Sequence, residues 1–282
     1  KSADEIISDP NIDAILIATS TDTHSDFIEK ASSAGKAILC EKPVDLSLSR
    51  AKECLNKVSA TNNPIMIGFN RRFDPNFAQL KKSLTDNEIG KSELLTITSF
   101  DPAPPPVSYV KTSGGLYRDM MIHDFDLSNF IMDELPITIS AVGQSLINPE
   151  IGAAGDVDTA VVTMIYADGK IAVIKNSRRA AYGYDQRVEI LGSEGLLQAE
   201  NIVENSVVKS TEAGVLSAKP KYFFLERYMS AYKAEWDAFI KSLKENTIVP
   251  VTLVDGVAAL AMAEAATLSQ SSGKSIQLKE VL

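Results

Sequence analysis

The chain has 282 residues, 45% of them hydrophobic and 23% charged, with 37 acidic against 28 basic side chains and a formal charge of −9. Such proportions suit a globular protein with room for two domains, and they exclude a disordered, collagen-like or coiled-coil chain; the acidity, without any basic block, argues against a nucleic-acid binder, and no apolar run approaches the roughly 20 residues that cross a bilayer. Two cysteines, Cys40 and Cys54, are too few for a disulfide scaffold and read as buried thiols of a reducing, cytoplasmic compartment.

Residues 3–8 read as the end of a helix, stopped by Asp9 and Pro10. Residues 13–19 are an apolar run bounded by polar residues, the pattern of a parallel-sheet strand buried on both faces. A helix is expected over 21–34, closed by Gly35, then a second buried strand over 36–40 that runs into Glu41-Lys42-Pro43. A helix over 47–60 with Ser47 as its cap leads to a third strand, 64–69, ending at Asn70-Arg71-Arg72. Strands alternating with helices predict a parallel α/β unit.

Beyond Arg72 the pattern changes. A helix over 75–84 and a strand near 93–100 precede the proline-dense loop 101–106, then Gly114-Gly115 and a helical stretch over 118–132. β-Branched runs at 137–142, 157–166, 170–175 and 186–191, broken by the turn pairs Asp168-Gly169 and Gly192-Ser193, predict a large, mainly antiparallel sheet. Val161, Val162, Met164 and Ile165 place apolar side chains on both faces of one strand, so the outer face is expected to be covered in a homo-oligomer. Helices at 223–246 and 253–271 close the chain, the second alanine-rich, nearly uncharged and therefore expected to be buried.

Ligands bind an open parallel sheet at the carboxyl ends of its strands. Three such ends are polar here: 19–24, 41–43 and 70–72. Lys42, fixed by Pro43 just past a buried strand, is placed to move protons, and a cis bond before Pro43 would turn its side chain into the cleft. Asp119 and His123, four apart, share a face of the expected helix, and His is the side chain whose ordinary pKa suits acid–base work near neutrality. A metal site is the weaker option, because no second His or Cys accompanies His123. Gly114-Gly115 lets backbone approach closely, which suits a hydroxyl-rich ligand or an ordinary turn.

Glu41-Lys42-Pro43, the segment Gly68–Asp74 and above all Gly114–Asp126, with Ser99–Pro106, Gly155–Thr163 and Asn176–Gln186, resemble the Gfo/Idh/MocA oxidoreductase family over essentially the whole chain. The resemblance implies an α/β fold: the C-terminal part of a Rossmann-type parallel sheet (residues 1–72), followed by an α+β domain for substrate binding and oligomerisation (73–282). It implies an NAD(P)-dependent enzyme that oxidises a ring hydroxyl of a cyclitol, in a homo-oligomer, by family precedent a tetramer. Lys42, Asp119 and His123 match the catalytic set, with His123 taking the hydroxyl proton. Thr19, Ser20, Thr21, His24, Glu41 and Lys42 match cofactor positions; Arg71, Arg72, Tyr182, Tyr184 and Tyr232 match substrate-side positions; no metal is implied. Two other readings keep these motifs: a non-catalytic polyol-binding or oligomer-forming relative, and an aldose dehydrogenase. The family's opening strand and Gly-rich turn, about 55–70 residues of the dinucleotide fold, are not in this sequence. NAD is the expected cofactor with NADP left open, since the residue that meets the 2′ position is outside the sequence. The chain as written is accordingly expected to bind NAD weakly, to be inactive and poorly soluble, and to expose an apolar edge at 13–19.

Overall fold

The apolar runs of the first third become three parallel strands in the computed structural model, which describes residues 2–282. A short helix, α1 (Ala3–Ser8), leads into β1 (Ala14–Ile17), α2 (His24–Ser33), β2 (Ala37–Glu41), α3 (Leu48–Val58) and β3 (Ile65–Gly68). Ser47 caps α3 by accepting from the Arg50 N–H, as its position before an amphipathic run suggests. The strands are in register from Ala14↔Ala37 to Ile17↔Cys40 and from Ile38↔Ile65 to Glu41↔Gly68. The polar ends of β2 and β3 therefore finish side by side. On the outer edge of β3, the Ile67 N–H donates to the Val251 carbonyl at 3.1 Å. β1 forms the opposite edge, where Leu16 is 53% exposed.

A 3-10 turn (Asn70–Phe73) passes the chain to α4 (Pro75–Thr85), β4 (Ser92–Phe100), α5 (Val107–Ser113), α6 (Gly115–Asp119), α7 (Ile122–Met132), β5 (Thr138–Gln144) and α8 (Pro149–Ala153). β6 (Thr159–Ile165), β7 (Ile171–Ser177), β8 (Asp185–Gly192), β9 (Gly195–Ala199), the hairpin β10 (Val208–Thr211) and β11 (Gly214–Ser217), α9 (Phe224–Glu245), α10 (Leu253–Ser272) and β12 (Ile276–Gln277) follow. Seven strands form one sheet in the order β12-β5-β6-β7-β4-β8-β9. All its neighbours are antiparallel except β4 and β7, which run parallel from Leu94↔Ile171 to Phe100↔Ser177. The sheet is thus mixed, mainly antiparallel as expected, with its earliest strand inserted between β7 and β8.

α10 packs on α3 and β3 on one side and on α7 and β5 on the other. Its alanines, Ala259, Ala261, Ala263, Ala265 and Ala266, are fully buried; small side chains let two layers close on one helix, and a capping box at Thr252 and Asp255 starts it. No helix among the described residues is long and apolar enough to cross a membrane.

The expected helix over 118–132 is corrected in one respect. It is broken at Met120 and Met121, both buried, so Asp119 closes α6 while His123 lies in the first turn of α7. α6 begins under a distant partner: the Asp156 carboxylate accepts from the Leu116 N–H at 2.9 Å. Gly115 has φ +84, and a Cβ there would stand 2.7 Å from Asp156 Oδ1. The close approach that this glycine permits is made by a carboxylate of the chain itself. The helices α5 and α8 and the strands β9 and β12 were not anticipated from the sequence.

Candidate active site

The ends of β2 and β3 open onto a cavity of about 500 Å³, closed on its other sides by the loop after β4, the α6–α7 junction and α9. Lys42, Asp119 and His123 all line it. The Lys42–Pro43 peptide is cis. Lys42 Nζ donates to the Asp119 main-chain carbonyl at 2.7 Å and lies 3.5 Å from Asp119 Oδ1. Two further donors converge on that carboxylate: the Tyr109 hydroxyl at 2.9 Å from Oδ1 and Arg178 Nη2 at 3.4 Å from Oδ2.

His123 stands edge-on to Phe69, ring centroids 6.0 Å apart. Its Nδ1 is buried with no hydrogen-bond partner among the described residues, which leaves Nε2 as the nitrogen open to the cavity. Burial, reinforced by the positive charges of Lys42 and Arg71, holds the imidazole well below its usual pKa. The ring is therefore neutral at physiological pH and able to accept a proton.

Other residues singled out in the sequence fall into two groups. Glu41, Arg71, Tyr184 and Tyr232 line the cavity. Arg71 is held there by Ser99 Oγ at 2.9 Å and by Asp124, which itself accepts from Asn176 Nδ2 at 2.9 Å. Arg72 turns away: Nε and Nη2 bond both oxygens of Asp126, and Nη2 also reaches Asp255 at 3.1 Å. Tyr182 is likewise outside, 48% exposed, its hydroxyl donating to Asp185. Tyr182 and Tyr184 would share a face in a continuous strand, but Gly183 at φ +131 turns the chain between them.

Thr19 and Ser20 are exposed at the end of β1 and Thr21 half-buried, with Thr19 Oγ1 2.7 Å from Thr23 Oγ1. His24 is 1% exposed. Its two ring nitrogens lie 2.8 Å from the Pro43 carbonyl and 3.1 Å from the Thr19 carbonyl, so its polar atoms tie the β1 and β2 loops together and face no ligand space.

Asp101, Tyr109, Arg178 and Tyr228 also line the cavity and were given no role by the sequence reading, while Asn70 lies in the polar strand end it singled out. The signal for Asp101 and Arg178 was present, as each is a charge set directly at the end of an apolar strand. Burial pushes the Asp101 carboxyl up to about 6, against the pull of Arg178 and Arg71. Tyr109 and Tyr228 are pushed up as well, chiefly by burial, and stay protonated donors.

The chain is similar to known proteins over nearly its whole length. Residues 1–69 match the profile described as the oxidoreductase family, NAD-binding Rossmann fold, and residues 81–278 its C-terminal alpha/beta domain. The chain is 46% identical over 278 residues to the inositol 2-dehydrogenase of Rhizobium meliloti, covering 99% of this chain and 84% of that protein. It superposes on the crystal structure of a myo-inositol dehydrogenase from Corynebacterium glutamicum with a TM-score of 0.95 at 40% identity, covering 98% and 83% of the two chains. The scyllo-inositol dehydrogenase of Lactobacillus casei, solved with bound NAD(H) and scyllo-inositol, gives a TM-score of 0.91 at 29% identity, covering 99% and 84%.

Proposed function

Because the chain belongs to the Gfo/Idh/MocA oxidoreductase family, we propose that it oxidises the C2 carbinol of myo-inositol to the ketone, 2-keto-myo-inositol, with NAD. The observation that carries this reading is the meeting of Lys42, Asp119 and His123 in one cavity at the carboxyl ends of parallel strands, in a chain whose relatives are inositol dehydrogenases. The donor set fits the cofactor's nicotinamide end. The hydroxyls of Thr19, Ser20 and Thr21 sit at the end of β1, joined through His24 to the loop that carries Lys42. NAD, when bound, supplies the two-electron acceptor.

The chain's own residues handle the proton. His123 Nε2 takes it from the hydroxyl as the carbinol is oxidised, the resting proton of the ring being on Nδ1. The Lys42 ammonium stabilises the negative charge that develops on the substrate oxygen. Asp119 holds that ammonium with its carbonyl and balances it with its carboxylate. Arg71, Tyr184 and Tyr232 border the polyol. In an assay of the gene's complete product, NADH absorbance should rise with myo-inositol and NAD, and more slowly with NADP or an aldose. No turnover with any inositol isomer would sink the reading.

We propose further that the outer face of the seven-stranded sheet is covered by a second copy. Cross-strand register sets Ile165 beside Ile171, Ile171 beside Leu94, Leu94 beside Leu191, and Leu191 beside Leu196. This apolar row crosses five strands, with every member between 38% and 46% exposed. A continuous patch of that kind marks an interface, and a twofold axis lets it meet itself. Sedimentation should show an assembly, with family precedent favouring four copies, and Ile171→Glu should dissociate it; a wild-type monomer at micromolar concentration contradicts the claim. The free, buried thiols of Cys40 and Cys54 suit a reducing cytoplasm.

A further inference from the structure

Asp101 is a charged group of the cavity to which the chemistry above gives no task. It follows β4 and is fixed by its backbone on both sides: its N–H donates to the Ser177 carbonyl at 2.8 Å, and its own carbonyl accepts from the Ala180 N–H at 2.7 Å. Its carboxyl lines the cavity, and no hydrogen-bond donor among the described residues reaches it. The charges around it are otherwise engaged. Arg178, following β7, donates to Asp119, and Arg71, in the turn after β3, donates to Ser99 and Asp124. Asp119 of α6 and Asp124 of α7 oppose its ionisation, and it in turn bears on Tyr109 of α5 and on Tyr184 before β8.

A carboxylate drawn partly out of water and given no protein donor is left under-bonded. Here the shortfall is relieved when a ligand brings donors, and the two oxygens offer about four acceptor positions. Cyclitols carry hydroxyls on neighbouring ring carbons, a spacing that one carboxylate spans. We propose that Asp101 is a specificity-determining residue, accepting hydrogen bonds from two adjacent hydroxyls of the polyol that are not oxidised and so selecting which carbinol faces His123. The proposal rests on the polyol reading above. It adds a requirement that no other cavity residue imposes: a vicinal diol at a fixed place relative to the oxidised carbon.

The test pairs enzyme and substrate changes. Wild type and Asp101→Asn are assayed with NAD on myo-inositol and on deoxyinositols lacking each hydroxyl in turn. Asp101→Asn should lower kcat/KM on myo-inositol by about 10–100-fold, mostly through KM. Two deoxyinositols should lose a similar factor with wild type and little more with the variant, since the lost partner is then already absent. Carboxyl protonation removes the charge and turns one of the two acceptor oxygens into a donor, so the wild-type KM should rise as pH falls through about 6, a rise missing from Asp101→Asn. Asp101→Glu, which keeps the charge one methylene further out, should shift the preference among deoxyinositols rather than abolish it. Equal losses on every deoxyinositol, or an Asp101→Asn enzyme with unchanged KM, would overturn the proposal alone. Absence of wild-type turnover on any inositol would overturn both it and the reading beneath it.

Discussion

Replacing His123 by alanine should lower kcat by about 10²–10⁴-fold, the usual contribution of a positioned general base. The proposed role of the imidazole as base rests on the burial and two nearby cations that keep it neutral, and on Nε2 alone being left to face the cavity. The pH profile provides the second readout. A base fails when it is protonated, so this group limits the rate only on the acid side, and its depressed pKa places that limb below 6.5. Kcat should therefore stay level through neutrality and lose its acid limb in His123→Ala. Lys42→Ala should cost at least about 100-fold through loss of charge on the developing alkoxide. Lys42→Arg should not restore it, since a planar guanidinium cannot hold a point charge at the place set by the Asp119 carbonyl. Steady-state kinetics on variants with wild-type circular dichroism decide the matter; a His123→Ala enzyme at near wild-type kcat would remove the ring from the mechanism.

Asp74→Ala should destabilise the fold by about 3–5 kcal/mol, the cost of breaking one side of a buried ion pair. Asp74 and Arg227 are 0% and 1% exposed at their side chains and bond each other directly. Arg227 Nε and Nη2 have no other partner among the described residues, and its guanidinium lies 4.6 Å from the Tyr228 ring centroid. The same aspartate caps α4, accepting from the Asn76 N–H at 3.0 Å and the Phe77 N–H at 3.3 Å. Asp74→Asn keeps the cap and loses the charge, and should fall between wild type and alanine. Urea unfolding at fixed protein concentration measures both. A loss under 1 kcal/mol for the alanine variant would show that Arg227 finds other compensation. Because this pair anchors the start of α9, which carries Tyr228 and Tyr232, KM should also rise in Asp74→Ala.

Local pattern made the parallel layer readable. Residues 37–40 and 64–69 are unbroken apolar runs followed by polar and charged residues, and a strand buried on both faces followed by a site leaves that trace. What escaped depends on contacts distant in sequence. The start of α6 rests on Asp156, forty residues beyond the Leu116 N–H it receives, and periodicity over 118–132 contains nothing of it or of the break at Met120 and Met121. The parallel pairing of β4 with β7 joins segments separated by the whole of α5 to β6, whereas β-turn signals reveal only neighbours. Arg71 and Arg72 are identical in type and adjacent, yet one meets Asp124 at the cavity and the other Asp126 behind it. His24 looked like a ligand contact because it is polar at a strand end; its carbonyl partners, Pro43 and Thr19, show it fastening two loops.

The strongest hold on the Lys42 ammonium is a peptide oxygen, that of Asp119. Every amino acid offers the same atom. Mutation at position 119 can therefore delete or relocate the carboxylate while the lysine keeps its seat, provided α6 still ends there. Over evolutionary time such a site separates two properties that are usually inherited together: the place of the nitrogen belongs to the backbone, and the electrostatic setting around it belongs to a single codon. Descendants can vary the second, and with it the proton balance of the reaction, from an unchanged scaffold.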